Sequence, residues 1–417
     1  MSTAPAKTAA ELDAADPLAA YPSKFVKHDG VASYLDGNSL GRPLTSTPER
    51  LRAFVEGAWG ERLIRSWDES WMDEPTRVGD QLGRVCLGAA AGQTIVADST
   101  SVMLYKALRA ALDADVERNE IVLDRDNFPT DRFIVEGIAA ERGAKLVWLE
   151  PDSSLGVSED QVRGAVGAGT AVVLLSHVAY RSGFIADGPG ITAAVHEAGA
   201  LMLWDLCHSV GSVPLALDEW GADLAVGCTY KYLNGGPGSP AFGYVSRALQ
   251  GRVRQPIWGW MGAADPFGMT ASYAPAESVR QFISGTPPIL GMQPLKHMLE
   301  LVEAAGMDAI RAKSELLTAR AVELIERDLV PLGVEVASPL DPAVRGSHVT
   351  INHPRFREVT ALLWERGVIP DFRPPHGLRI GLSPLSTTFA ELDAGIEAIR
   401  VAIGEVGEVG DTISAQL

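Results

Sequence analysis

From about residue 51 to residue 283 the chain alternates short apolar runs with stretches of helical period. The runs fall at residues 94–97, 121–123, 145–149, 171–176, 201–204, 224–227 and 241–245. Between the earlier runs, residues 101–112, 131–142 and 190–198 repeat their apolar positions as helices do. This strand–helix–strand alternation predicts an α/β fold whose mostly parallel central sheet is flanked by helices and buried on both faces. Ligands of such sheets gather beyond the carboxyl ends of the strands, so the residues after each run are the first candidates for chemistry. A Pro/Gly cluster at 285–294 closes the region. Beyond it the pattern predicts one long helix over 295–329, a strand at 348–352, a helix at 356–366, a strand at 378–381 and a closing helix from Phe389 to about Ile403. That tail reads as a smaller α+β C-terminal domain. The expected division is 1–44 as an N-terminal arm and segment packing with the small domain, 45–290 as the large domain and 291–417 as the small one.

Composition narrows the possibilities. Of 417 residues, 46% are hydrophobic and 21% charged, the profile of a globular protein with a sizeable core. A net charge of −17 argues against nucleic acid and against anionic membrane surfaces, both of which need a basic face. The three cysteines, Cys86, Cys207 and Cys228, have no paired spacing, so neither a disulfide framework nor a metal site is expected. The first 25 residues lack the apolar core of a secretory signal, and no run approaches the ~18 apolar residues of a membrane span. A cytoplasmic location is the expectation.

Four strand ends carry polar residues that make sense together. After residues 94–97 come Asp98, Ser99, Thr100 and Ser101, opening a helix; hydroxyls and free N–H groups there suit an anion such as a phosphate, although a simple helix cap has the same signature. After 121–123 come Asn127 and Phe128, the latter either a core residue or a stacking platform for a planar ring. Asp205 and His208 follow 201–204; a carboxylate at the buried end of a parallel strand calls for a partner, and a protonated pyridine is one. After 224–227 comes Cys228-Thr-Tyr-Lys-Tyr-Leu-Asn-Gly-Gly-Pro-Gly238. Lys231 is one of only eight lysines and the only one at the end of a buried strand, where an amine that must lose its proton to form an imine belongs.

An anion site, an aromatic, an Asp, and a Lys 26 residues after the Asp occur in the order seen in fold type I pyridoxal-phosphate (PLP) enzymes. The chain resembles the kynureninase family more closely still. The resemblance rests on Tyr34-Leu-Asp-Gly-Asn-Ser-Leu-Gly41, Leu63-Ile-Arg-Ser-Trp67, Ala97-Asp-Ser-Thr-Ser-Val102 and Asn127-Phe-Pro-Thr-Asp131. It rests as well on Trp204-Asp-Leu-Cys-His-Ser209, Gly227-Cys-Thr-Tyr-Lys-Tyr-Leu-Asn-Gly-Gly236, Gly259-Trp-Met-Gly262 and Gly285-Thr-Pro-Pro-Ile289. The resemblance implies pyridoxal 5'-phosphate as cofactor, with Lys231 as its Schiff-base lysine. It implies that Thr100 and Ser101 hold the phosphate, Phe128 stacks on the ring, and Thr130, Asp131 and Ser176 line the cofactor. Asp205 would pair with the ring nitrogen with His208 in support, and Tyr230 would touch the phosphate and serve as candidate proton donor. Trp260 and Thr286 would reach the phosphate from a neighbouring subunit, implying a homodimer with shared active sites. Arg379 would grip the substrate α-carboxylate, with Asn38, Ser39 and Trp71 also at the substrate.

The implied reaction is hydrolysis of the Cβ–Cγ bond of L-kynurenine, or a ring-substituted relative, to an anthranilate and L-alanine. Met103, Ala263 and Ser386 depart from the family pattern, where Asn, His and Tyr are usual, and so put the aryl pocket in question. The alternative is a related PLP-dependent lyase, hydrolase or aminotransferase acting on a different β-substituted amino acid. A cysteine desulfurase would need a mobile cysteine in the second domain, and all three cysteines here precede residue 230.

Overall fold

All seven apolar runs become strands of one sheet in the computed structural model, which describes residues 7–414, with side chains through Gly407. They are β1 (Thr94–Val96), β2 (Glu120–Asp124), β3 (Lys145–Leu149), β4 (Thr170–Ser176), β5 (Leu201–Asp205), β6 (Leu224–Gly227) and β7 (Phe242–Val245). The spatial order is β1-β7-β6-β5-β4-β2-β3. Only β7 runs antiparallel to its neighbours; the β6-β5-β4-β2-β3 ladder is parallel throughout.

Both faces of this sheet are covered, which is why its strands read as continuous apolar runs rather than alternating ones. On β4 and β5, Val173, Leu175, Met202 and Trp204 enter one core, while Val172, Leu174 and Leu203 enter the other. Helices α1 (Thr100–Ala114) and α2 (Pro129–Arg142) cover the second face, and α3 (Gly188–Glu197) lies on the first. Each parallel crossover therefore brings the chain back so that the next strand ends on the same edge.

The predicted helix over 295–329 is instead two helices, α4 (Ile289–Ala305) and α5 (Met307–Leu324), followed by a wider helical turn at Ile325–Leu329. Gly306 separates them with φ +80°, a conformation that ends the helix although the apolar period continues through it. The C-terminal region forms a second sheet from β8 (Glu335–Val336), β9 (His348–Asn352), β10 (Asp371–Arg373) and β11 (Gly377–Gly381). Its order is β10-β11-β9-β8, antiparallel throughout. Helices α6 (Phe356–Glu365) and α7 (Phe389–Ser414) accompany it, α7 running well beyond the predicted end.

The first 30 residues are more structured than their weak periodicity suggests. Thr8 and Glu11 form a capping box that opens a helix at Ala9–Ala15. Asp13 on that helix accepts from the backbone N–H groups of Phe389 and Ala390, capping α7 in turn. Ser33–Tyr34 then pairs in parallel with Val368–Ile369. The isolated bridge of Asp36 to Gly381 carries the chain across the small sheet towards the large one.

A tight seam lies where the helix Glu74–Leu82 crosses β1: a Cβ on Gly79 would sit 2.2 Å from the Thr94 carbonyl oxygen and 2.8 Å from the Ile95 Cα. Backbone cannot yield as a side chain can, so Gly79→Ala should destabilise the chain by about 1–3 kcal/mol. Gly137→Ala, at an exposed position of α2 with nothing within 4 Å of the new Cβ, should stabilise it by up to about 1 kcal/mol. Denaturant titration of the two variants beside the parent protein checks both signs.

Candidate active site

The carboxyl ends of β1, β2, β4, β5 and β6 converge, and each delivers one of the polar groups anticipated from sequence. On β4 and β5, Ser176 and Asp205 are register partners, so parallel pairing sets their side chains together. The Ser176 hydroxyl donates to Asn127 Oδ1 at 2.9 Å and lies 3.3 Å from Asp205 Oδ2. Asp205 Oδ1 accepts from the Cys207 N–H at 2.9 Å. The chain then turns and places His208 with its Nε2 3.1 Å from Lys231 Nζ. His208 therefore stands on the lysine; no hydrogen bond joins it to Asp205. Lys231 is buried on the loop after β6, its Nζ 5.8 Å from the centre of the Phe128 ring.

After β2, the Phe128 N–H donates to Asn127 Oδ1, and the Phe128 ring meets Tyr180 edge-on at 5.4 Å. Pro129 starts α2, with Thr130 half-buried and Asp131 buried in its first turn. After β1, Asp98 takes φ +53° and Ser99 caps α1, which leaves Thr100 and Ser101 in the first turn of a fifteen-residue helix. Buried Lys106 ties this corner down: its Nζ donates to Asp98 Oδ2 at 2.6 Å and to the Phe282 carbonyl at 2.7 Å. Gly236 and Gly238, at φ +85° and +78°, carry the chain away from Lys231 through turns that a side chain would strain.

The electrostatics follow from this crowding. Burial, reinforced by the charge on Asp205, pushes the Asp131 carboxyl well above its ordinary value. Burial pushes His208 well below its ordinary value, with the positive charges of Lys231 and Arg379 adding to the effect. The ring is therefore neutral and can offer Lys231 a lone pair. Tyr230, beside it in sequence, is pushed up by burial and keeps its phenolic proton. Asp124, at the end of β2, is pushed up to about 7 by burial and by Asp126.

Arg379 reaches the same place from the small sheet. Its guanidinium is buried and its three nitrogens already donate: Nε to Asp371 at 2.7 Å, Nη1 to the Tyr180 carbonyl at 2.8 Å and Nη2 to Ser39 at 3.0 Å. Asn38 is wholly buried beside it, and the Gly41 N–H donates to the Tyr230 carbonyl at 2.8 Å. The predicted residues Asn38, Ser39 and Arg379 thus sit together and join the lysine loop.

Three predicted residues lie apart from the Lys231 cluster. Trp71 packs against Phe54 and Trp67, Trp260 is 43% exposed against Phe267, and Thr286 is exposed. Of the departures from the family pattern, Met103 is a core residue whose sulfur fills the space over Gly243 on β7, so it repacks the helix rather than lining a pocket. Ser386 is buried in the turn after Ser383, and the Ala263 carbonyl accepts from Arg280.

Tyr180 and Asp371 belong to the site without having been singled out by the sequence pattern, and Asn127 was named there without a role. Asn127 opens the Asn127–Asp131 motif, but its bridging role depends on β4 lying beside β2. Asp371 is two residues from Arg373 and gives no signal of its own.

Two atoms show what the site could take up: Asn127 Nδ2 and Asp131 Oδ2 are buried without a hydrogen-bond partner in the protein. With a carboxylate pair, an amine over an aromatic face and a helix N-terminus in one place, the donor set suits a planar, polar ring that carries an anion. Compared with known proteins, the chain is 41% identical to a kynureninase from Pseudomonas fluorescens over 402 residues, 95% of this chain and 94% of that one. The chain belongs to the kynureninase family. A kynureninase from Burkholderia pseudomallei is likewise 41% identical, over 93% of each chain. The family model for the kynureninase C-terminal domain matches residues 310–399, the stretch that includes Arg379.

Solved structures extend the likeness of this kynureninase-family chain to its fold. A cysteine desulfurase from Thermococcus onnurineus superposes with a TM-score of 0.77 at 17% identity, covering 89% of this chain and 95% of that one. The cysteine desulfurase CsdA from Escherichia coli gives 0.80 at 16%, covering 93% and 98%. A variant of C-DES with glycine covalently linked to its PLP cofactor gives 0.78 at 16%, covering 88% and 96%. At such identities these neighbours speak for the fold alone, which is PLP fold type I. Cys86, Cys207 and Cys228 are all buried and free.

Asp124 provides a titration test. Its ordinary value is 3.8 and its folded value about 7, so the folded chain binds the extra proton. The resulting stabilisation is complete below about pH 4 and fades as pH rises through 7. Across that window the parent should lose stability relative to Asp124→Asn at a slope of up to about 1.4 kcal/mol per pH unit. Urea unfolding of both proteins at several pH values measures the difference.

Proposed function

We propose that this chain is a PLP-dependent hydrolase that cleaves the Cβ–Cγ bond of L-kynurenine, or of a ring-substituted kynurenine, to an anthranilate and L-alanine. The observation that carries the reading is the buried Lys231 amine, held 3.1 Å from a neutral His208 and facing the Phe128 ring, one strand away from Asp205. When bound, PLP supplies an electron sink for the bonding pairs released at the substrate's Cα and Cβ.

Phe128 would lie against the cofactor ring, with Asp205 at its nitrogen and Asp131 and Ser176 beside it. The first turn of α1, with Thr100 and Ser101, suits its phosphate. Lys231 takes the Cα proton, and the neutral His208 ring can accept a hydrogen bond from the ammonium that results. Water adds across the γ-carbonyl; its oxygen leaves in the anthranilate carboxylate, the Lys231 ammonium returns a proton to Cα, and a further proton is delivered to Cβ of the alanine. Tyr230 retains a phenolic proton next to Lys231 in sequence and is the donor we favour for that step.

Residues 45–290 would carry the cofactor, 291–417 the carboxylate site, and 1–44 would join the two. We take the working form to be a homodimer with Trp260 and Thr286 contributed to the partner's phosphate site; their exposure, with Trp258 at 64% and Met269 at 80%, supports a covered face there. Among the described residues no helix is long and apolar enough to cross a membrane, and no cluster could hold a metal ion. An acidic chain with three buried free thiols suits the reducing cytoplasm.

Purified protein should show the visible absorbance of bound PLP and release fluorescent anthranilate from L-kynurenine. Lys231→Ala should lose the band and at least about 10³-fold of the rate. A band without anthranilate would reject kynurenine as the substrate. For the dimer, Lys231→Ala and Thr286→Ala variants, each impaired alone, should recover activity on mixing, because a mixed dimer contains one intact site. Mixtures that stay at the level of the parts would show that the sites are not shared.

A further inference from the structure

On the small sheet, β9 and β11 pair so that Thr350 faces Arg379 and His348 faces Gly381. Alternation along the strands then puts His348 and Arg379 on one face. That face meets the large domain. Arg379 donates to the Tyr180 carbonyl, Thr350 donates to the Arg181 carbonyl, and the His348 ring lies 5.8 Å from the His208 ring, tilted by 59°. Gly381 has no side chain to offer, and Asn38 occupies the space: a Cβ on Gly381 would fall 1.8 Å from Asn38 Oδ1. Asn38, His348 and Arg379 therefore form one wall next to the His208–Lys231 pair.

Hydrogen bonding on that wall is uneven. Arg379 has all three nitrogens donating to protein acceptors, and its Nη2 is also 2.5 Å from Asp371 Oδ2. It brings positive charge, but a two-point grip on a carboxylate would require it to release partners it already holds. Around it, both ring nitrogens of His348, both polar side-chain atoms of Asn38, the Tyr232 hydroxyl and Asp36 Oδ1 are buried with no partner in the protein. Leaving such atoms unmatched is costly, so native chains seldom do so without reason. His348 is wholly buried, and burial, with the Arg379 charge adding to it, pushes the ring down to about 3. It stays neutral and offers one N–H donor and one lone pair.

We propose that His348, together with Asn38, supplies the hydrogen bonds that seat the substrate's α-carboxylate next to Arg379. This rests on the reading of the substrate as an α-amino acid. Arg379 gives the attraction, and the neutral donors of Asn38 and His348 fix where the carboxylate oxygens lie. His348 is thus a substrate-positioning residue supplied by the small sheet.

The test compares L-alanine with ethylamine, the same kind of amine without a carboxylate, on PLP-loaded protein, using the visible absorbance change on binding. His348→Phe should weaken L-alanine by about ten- to a hundredfold and leave ethylamine unchanged. His348→Gln, which keeps a donor and an acceptor, should restore most of the loss. A His348→Phe protein that binds both ligands as the parent does would overturn the proposal. So would equal weakening of both ligands, which marks a general disturbance, or a parent protein that does not prefer L-alanine. Kynurenine turnover is measured separately: its absence in the parent would remove the proposed reaction while leaving the carboxylate comparison intact.

Discussion

The burial of a lysine amine among carboxylates and neutral rings governs the arrangement around the site. An ammonium removed from water is costly unless partners are fixed around it, and its usefulness as a base depends on how those partners are charged. Here the partners arrive from different strands: Phe128 after β2, Asp205 at the end of β5 with His208 beyond it, and Lys231 after β6. Only a sheet whose parallel strands all end on one edge brings them together without a long loop. The two-faced core and the crossover helices follow from meeting that demand at one edge.

The small sheet answers a second demand with a different kind of chemistry. Arg379 is buried as completely as a leucine would be, which an arginine tolerates only with its donors engaged. Asp371, Tyr180 and Ser39 engage them, from the small sheet, the loop after β4 and the N-terminal segment respectively. The guanidinium therefore works as a structural joint as well as a charge. Its fixed geometry is the reason the neighbouring unmatched donors acquire importance.

Much of this was readable in the residues. The seven strands were legible because burial on both faces makes unbroken apolar runs. Lys231 was legible because an amine at the buried end of a strand is too costly to keep there unless its chemistry is used, and the glycines after it leave room for a ligand. Other features were not. The break at Gly306 was hidden because the apolar period continues across it and a lone glycine within a helical pattern is ordinarily tolerated. The bond from His208 to Lys231, rather than to Asp205, depends on how two neighbouring loops fold back, which no local pattern specifies. His348 sits in a strand of otherwise ordinary alternation, and only the register with Gly381 gives it meaning. Trp71, Trp260 and Thr286 were expected at the site through family resemblance only, and a single chain gives them no place at the lysine.

The contact of Asn38 with Gly381 joins two positions 343 residues apart, 38 and 381, through a single shared volume. Gly381 cannot take a side chain while Asn38 stays. A side chain at 381 would evict the Asn38 amide and with it the register between the N-terminal segment and the small sheet, while a larger residue at 38 would find no room unless 381 remained glycine. In evolutionary terms the two sites form one unit of inheritance. Drift should keep Asn38 and Gly381 together, and a lineage that loses one should be found to have rebuilt the other.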